Sequence, residues 1–240
     1  MIQDLSEITL FKDIPREDHP QLLALFKTRN FKKNHNLIFE NDHSDEVYFI
    51  RSGIVKVYRV KDAQELVFNF HFPGHAVGEI EAICDEKQLY RMASVEAFEP
   101  VAAWMLTKKD FLYIINKYPA VLRRAYNLLL ERLRIMNRKV RSLTFDDTRT
   151  RTANLIMDLY HNCGGQYDGV YRIDFKITQS DLADMLGLTR ESISKTVNEL
   201  KKDGIIEIRQ KCIHILDLER LDYICNEPDE MSAHRIWHER

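Results

Sequence analysis

The sequence predicts an α+β chain: an N-terminal antiparallel β-roll, a long helix, and a C-terminal winged helix-turn-helix. Three observations carry this. Residues 34–105 alternate apolar and polar in short runs punctuated by turn signals. Apolar residues then recur at alternating spacings of four and three from Leu122 to Leu143. Further on, Ile177–Leu200 reads as two short helices joined at Gly187.

Residues 1–30 are expected to be helical, on Leu5, Ile8, Leu10 and Phe11 and then Leu22, Leu23, Leu25 and Phe26. From about Asn34 to Met105 the pattern becomes strands: Asn36–Phe39, Glu46–Ile50, Gly53–Val60, Leu66–Phe70 and Val101–Met105. Turns are marked at Asn41-Asp42, Ser52-Gly53, Asp62-Ala63 and Pro73-Gly74. Many short strands at this spacing suggest a barrel or roll.

Pro119 can occupy the first turn of the long helix. Leu122, Tyr126, Leu129, Leu133, Met136, Val140 and Leu143 make an a/d stripe over about three heptads. Such a stripe predicts a two-stranded coiled coil between two copies; the other reading is a helix packed on its own roll. Arg123, Arg124, Arg132, Arg134, Arg138, Lys139 and Arg141 flank the seam. The helix should end near Phe145–Thr148. That divides the chain into residues 1–145, a roll with its dimerisation helix (about 119–145), and residues 146–240.

In the second part, Tyr171–Ile177 reads as a strand leading into the helix pair. Thr178 with Asp181 resembles a capping box. Leu182, Ala183 and Leu186 give the first helix an apolar face. Gly187 turns the chain, and Thr189 is a good N-cap for the second helix. Ile193, Val197 and Leu200 face inward. Arg190, Glu191, Ser194 and Lys195, with Asn198 behind them, form the opposite face, whose side chains suit base edges and phosphates in a major groove. Arg190 stands at the positive end of the helix dipole, where a cation is disfavoured by roughly 0.3–1 kcal/mol. Stability alone would sooner put an acid there. Asp203-Gly204 stops the helix. Ile205–Arg209, the turn Gln210-Lys211, and Cys212–Leu216 then read as a wing. Lys202, Arg209 and Lys211 are candidates to reach phosphate.

The charge balance does not by itself indicate nucleic acid. The net charge is −2. Residues 146–240 hold 13 Lys+Arg against 18 Asp+Glu, whereas Leu186–Leu216 hold 6 against 4. Binding to DNA would therefore depend on local placement and on two paired copies. Cys84, Cys163, Cys212 and Cys225 form no C-x-x-C pair, so no zinc knuckle or local iron–sulfur ligand run is expected. Without a signal peptide or a long apolar run, no membrane partner is expected. A cytoplasmic protein with reduced cysteines is the expectation.

The order of roll, long helix and winged helix resembles the CRP/FNR family of bacterial transcription regulators, over most of the chain. Val47-Tyr-Phe-Ile-Arg-Ser-Gly53-Ile-Val-Lys-Val looks like the family's strand–glycine–strand turn. Gly78-Glu79-Ile80 looks like its Gly-Glu-Leu. Thr150-Arg-Thr-Ala-Asn-Leu-Ile156 resembles the start of its DNA-binding domain. The resemblance implies a cyclic-nucleotide-binding-like roll with a small-molecule effector that controls the DNA-binding heads. It also implies a homodimer on a near-palindromic double-stranded DNA operator, with TGTGA-type half-sites, and contact with RNA polymerase. Glu79 matches the family's nucleotide-binding glutamate. Arg91 corresponds to its arginine, about two residues further along than in the family pattern. Met92 stands where a serine belongs, and Met136 and Asn137 replace hydroxyl residues of the long helix. The resemblance therefore implies a changed pocket and no ordinary cyclic AMP site. Glu79 and Arg91 are read either as a surviving nucleotide site or as an internal salt bridge. The cysteines of the family's cluster-bearing oxygen sensors are missing, so no iron–sulfur cluster is implied.

Two other readings start from His71, His75 and Glu79, spaced four apart around Pro73-Gly74. One is a cupin-like metal-dependent enzyme. The other is a haem- or redox-responsive regulator of the same fold, sensing through a histidine or a cysteine. The tail 226–240 carries Ile236 and Trp237 in a polar stretch, open between a disordered end and a segment packed on the dimer.

Overall fold

A computed structural model describes residues 1–84, 90–225 and 235–237. It forms two compact units, Met1–Leu129 and the stretch from Leu130 onward, which divide inside the long helix.

In the first unit, 3₁₀ turns at Leu5–Glu7, Thr9–Phe11 and Arg16–Asp18 precede a short helix α1 (His19–Leu23). Next come β1 (Lys27–Phe31), β2 (Asn36–Ile38), β3 (Glu46–Ser52), β4 (Val55–Lys61), β5 (Gln64–His71) and β6 (Ala76–Val77). A one-turn helix α2 (Glu79–Ile83) leads to β7 (Ser94–Ala97), β8 (Val101–Thr107) and α3 (Lys108–Lys117). The strands form two sheets, ordered β1-β8-β3-β6 and β2-β7-β4-β5, and every pairing is antiparallel. Between them lies an apolar interior of Ile38, Ile50, Val55, Val95, Ala97 and Ala103. A second core packs the N-terminal turns and α3 on β3 and β8, around Phe11, Phe49, Leu106 and Phe111. The roll read from the sequence is therefore present.

Three expectations change. Residues 1–30 hold short turns and one five-residue helix rather than continuous helix: extended Ile8 separates the first two turns, and Pro20 sits in the first turn of α1. Leu25 and Phe26 lead into β1 instead of ending a helix. β1 itself carries polar Lys27-Thr-Arg-Asn and no apolar alternation; its pairing with β8, from Lys27↔Met105 to Phe31↔Val101, makes it a strand. The strands β6 and β7 and helix α2 are additional, each too short to leave a periodic signal.

The long helix α4 (Pro119–Phe145) is continuous for 27 residues. Its face of Val121, Ala125 and Leu128 is buried in the first unit. Arg124 grips Asp13 through two hydrogen bonds of 2.6 and 2.7 Å.

The second unit contains α5 (Thr148–Cys163), β9 (Gly164–Tyr167), β10 (Val170–Ile173), α6 (Gln179–Leu186), α7 (Arg190–Lys202), β11 (Ile206–Arg209), β12 (Cys212–Ile215) and α8 (Leu218–Cys225). One antiparallel sheet, ordered β11-β12-β10-β9, backs the helices. The strand expected over Tyr171–Ile177 ends at Ile173, and its hairpin partner β9 was not anticipated. Arg235–Trp237 pack on α5, with Arg235 and Trp237 both buried. The rest of the tail reading falls outside the described residues.

Candidate nucleic-acid interface and effector region

Both helix starts are built as the sequence indicates. Asp181 N donates to Thr178 Oγ1 (3.2 Å), and Thr178 N donates to Asp181 Oδ2 (2.7 Å), a complete capping box for α6. Gly187 closes α6 at φ 61°, ψ 39°, the left-handed region that a residue without a Cβ enters most easily. Thr189 Oγ1 accepts from Ser192 N (3.2 Å) and starts α7. The hydroxyls of Thr178 and Thr189 are thus helix caps in this chain.

Ile193, Val197 and Leu200 are fully buried and seat α7 on the unit. Arg190, Glu191, Lys195, Asn198 and Lys202 are exposed, and Ser194 is half-buried between them. The apolar face of α6 is made by Leu182, Ala183 and Met185, whereas Leu186 is half-buried. At the wing tip, Gln210 (φ 53°) and Lys211 (φ 66°) both take left-handed backbone, the pattern of a two-residue hairpin turn. Lys211 and Arg209 are exposed there, and Arg209 Nη2 reaches Glu207 Oε2 at 2.5 Å. That arginine holds the exposed Glu207 carboxyl below the usual carboxylate range.

Three arginines that sequence reading did not assign fasten this assembly. Arg149 pairs with Asp203 (2.5 Å) at the end of α7. Arg151 donates to the C-terminal carbonyl of α6, Leu186 O (2.5 Å). Arg220 donates to Asp203 O (2.9 Å). Each sits at a helix C-terminus, where a cation is favoured. Their partners are remote in sequence, so only composition hinted at them.

In the first unit, Gly78 (φ 81°) turns the chain into α2, where Glu79 is buried and Ile80 half-buried. Arg91 is also buried, and each of its three guanidinium nitrogens donates to the protein. Nε donates to Ser44 Oγ (3.0 Å), Nη1 to Gly78 O (3.0 Å) and Nη2 to Glu46 O (2.5 Å). The carboxylate at 3.6 Å from Arg91 is that of Glu81. Met92 is exposed, and its N–H donates to Glu81 Oε1 (3.4 Å).

On α4, the seven stripe residues Leu122, Tyr126, Leu129, Leu133, Met136, Val140 and Leu143 are all exposed in the single chain, from 38% for Leu129 to 63% for Leu143. Asn137 is exposed as well.

The model of the cyclic nucleotide-binding domain matches residues 28–118, and that of the Crp-like helix-turn-helix domain matches residues 150–224. The chain belongs to the CRP/FNR family of transcription regulators.

Among CRP/FNR relatives, the cyclic AMP receptor protein of Thermus thermophilus is 26% identical, over 90% of this chain and 95% of its own length. A CRP-like cAMP-activated global transcriptional regulator of Mycobacterium tuberculosis is also 26% identical, over 92% of this chain and 98% of its own. Among solved structures, a mutant of CooA from Carboxydothermus hydrogenoformans has the same fold. Its TM-score is 0.76 at 21% identity, covering 94% of this chain and 97% of that one.

Membership of the CRP/FNR family makes this chain a regulator with a DNA-binding helix-turn-helix and not an enzyme, which removes the cupin-like reading. His71 and His75 serve the roll: their rings meet edge to face at 5.7 Å, and His75 Nδ1 accepts from Phe72 N (3.1 Å). Among the described residues no three His, Cys, Asp or Glu side chains are grouped to hold a metal. Cys225 is buried and its thiol is pushed up to about 12, far from a reactive thiolate. Among the described residues no helix is long and apolar enough to cross a membrane.

Proposed function

We propose that this chain is an effector-responsive, sequence-specific transcription regulator, acting in the cytoplasm as a homodimer on a near-palindromic operator. The observation that carries the reading is the face of α7. It keeps Arg190, Glu191, Lys195 and Asn198 exposed on a helix whose other side is fully buried, with caps, turn and wing all in place.

Arg190 donates a bidentate pair to guanine N7 and O6, and Glu191 accepts from a cytosine amino group. Ser194, Lys195 and Asn198 assist within the groove. Thr178 and Thr189 bring helix N-termini to the backbone, and Lys202, Arg209 and Lys211 neutralise phosphates. The arginine–glutamate order favours TGTGA-type half-sites, placed about one helical turn apart by two-fold symmetry. The dimer forms along the exposed stripe of α4. RNA polymerase is the partner through which the bound dimer acts.

The effector domain takes a small molecule near Gly78, Glu79, Ile80, Arg91 and Met92. The residues present do not fit cyclic AMP. Each nitrogen of the Arg91 guanidinium already donates to the protein, to Ser44, Gly78 and Glu46, and Met92, Met136 and Asn137 supply no hydroxyl. The relatives named for cyclic AMP therefore share the domain without fixing the ligand.

Selection of binding sites from random duplex DNA tests the reading. Two inverted TGTGA-like half-sites at one-turn spacing are expected. Recovery of unrelated or unpaired sequences would reject it.

A further inference from the structure

Helix α5 carries a polar track that the DNA-reading face does not use. Thr152, Ala153, Ile156 and Leu159 are fully buried, so the helix lies in the middle of its unit. Asn154, Asp158 and Asn162 follow one another at intervals of four, which places them on one side of the helix. Asparagine is a poor helix former, and a buried carboxylate is costly unless paired. Stability of α5 alone would not choose these three residues.

Their partners explain them. Arg235 is 3% exposed and Trp237 3% exposed. Arg235 Nη1 donates to Asp158 Oδ1 (3.0 Å), and Nη2 donates to Asn154 Oδ1 (3.1 Å). Asn162 Nδ2 donates to Arg235 O (2.8 Å), and Asn162 Oδ1 accepts from Trp237 N (2.6 Å). One side-chain amide thus holds a carbonyl and an N–H two residues apart, as a neighbouring strand would. Asp158 is also held by Arg138 of α4. Arg138 Nη1 donates to the same Oδ1 (3.0 Å), and Arg138 Nη2 donates to Oδ2. The carboxylate is the shared element between the long helix and the tail.

We propose that Asn154, Asp158 and Asn162 form a peptide-docking track on α5 whose ligand is this chain's own Arg235–Trp237, and that docking fixes Arg138 of α4 to the DNA-binding domain. The shared Oδ1 is the physical link. With the segment docked, Asp158 is held from two sides and cannot turn away from Arg138. With it released, Asp158 loses the Arg235 cation, Asn154 Oδ1 and Asn162 Oδ1 lose their donors, and Asn162 Nδ2 keeps only the Asp158 carbonyl at 2.7 Å. The joint between α4 and α5, which runs through Asp146-Asp147, then opens more readily. The Arg235–Trp237 segment is therefore a strap on the joint that carries the reading head. Its effect on operator binding rests on the function proposed above; the docking does not.

Hydrogen exchange on the full-length chain tests this, comparing the parent with Asn162→Ala, Trp237→Ala and Arg235→Ala. The expected result is protection at residues 235–237 in the parent. Each variant should lose that protection and exchange at least tenfold faster across residues 138–162. Asn162→Ala touches no charge, so it remains informative if Arg235→Ala folds poorly. Absence of protection at 235–237 in the parent would overturn the docking. Loss of tail protection with residues 138–162 unchanged would overturn the coupling. Protection that appears only at concentrations where chains pair would assign the segment to a second copy and overturn the intramolecular assignment. Operator affinity, expected to fall about fivefold in Trp237→Ala, is measured separately. If exchange changes as expected and affinity does not, the docking stands and the role of the joint in DNA binding falls.

Discussion

Arg91 and Gly78 fit each other at van der Waals limits. Arg91 Nη1 donates to Gly78 O at 3.0 Å, and a Cβ placed on Gly78 would lie 2.8 Å from that same nitrogen. Glu46 O stands 2.9 Å from the same point, so backbone blocks the other way out. Arg91 is therefore a latch joining the turn before α2 to β3 rather than a free cation facing a ligand. Arg91→Ala should lower the stability of the first unit by roughly 2–4 kcal/mol, since several buried acceptors lose their donor together. Cyclic AMP should not bind with micromolar affinity. Urea unfolding checks the first expectation. Calorimetric titration checks the second, and micromolar binding coupled to tighter operator binding would refute it.

The exposed stripe of α4 predicts assembly. Leu129 and Leu133 each lose apolar contact area if the partner is absent, and burying one such side chain is worth about 1.5–3 kcal/mol. Replacing both by glutamate should yield monomers that no longer bind DNA. Sedimentation that finds the double variant still dimeric would show that the seam lies elsewhere.

Arg190 and Lys202 should separate in their effects. Arg190→Ala should cost roughly 1–3 kcal/mol and relax preference at one guanine. Lys202→Ala should weaken all sequences about equally and lower the salt slope by about one. Anisotropy over single-base variants of the half-site distinguishes them. Uniform weakening in Arg190→Ala would make Arg190 a phosphate contact.

Lys139 predicts a pH dependence. Burial, opposed by nearby Asp158 and aided by Arg138, lowers its ammonium to about 8. The unfolded chain keeps its proton to about 10.4. Between those values the unfolded state binds more protons, so this group makes stability rise as pH increases from about 8. Below pH 8 the destabilisation is fully present. The gain from pH 7 to 9.5 should reach at most about 2 kcal/mol, less where water reaches the amine. Lys139→Met should remove the rise and be more stable at pH 7. Urea titrations at the two pH values check this, and an equal rise in both proteins would assign it to another group.

Periodicity and end signals made much of this chain legible. The exposed apolar stripe from Leu122 to Leu143, the Thr178–Asp181 cap, the Gly187 turn and the Gln210-Lys211 wing tip each depend on residues within a few positions of one another. Local sequence fixes local backbone through side-chain period, capping and left-handed turn residues. The exposed side of α7 follows for the same reason: Ile193, Val197 and Leu200 decide which face is buried.

Only the tertiary structure decided the rest, because the partners are far apart in the chain. β1 is a strand through β8, more than seventy residues later, and its own polar residues give no sign of it. Arg91 became a latch because the fold carries Ser44, Glu46 and Gly78 to its guanidinium. Asp158 became a shared anchor because folding brings Arg138 and Arg235 to its carboxylate from opposite directions in sequence. A hydrogen-bonding side chain announces its capacity in the sequence; which acceptor satisfies it depends on the distances that folding creates.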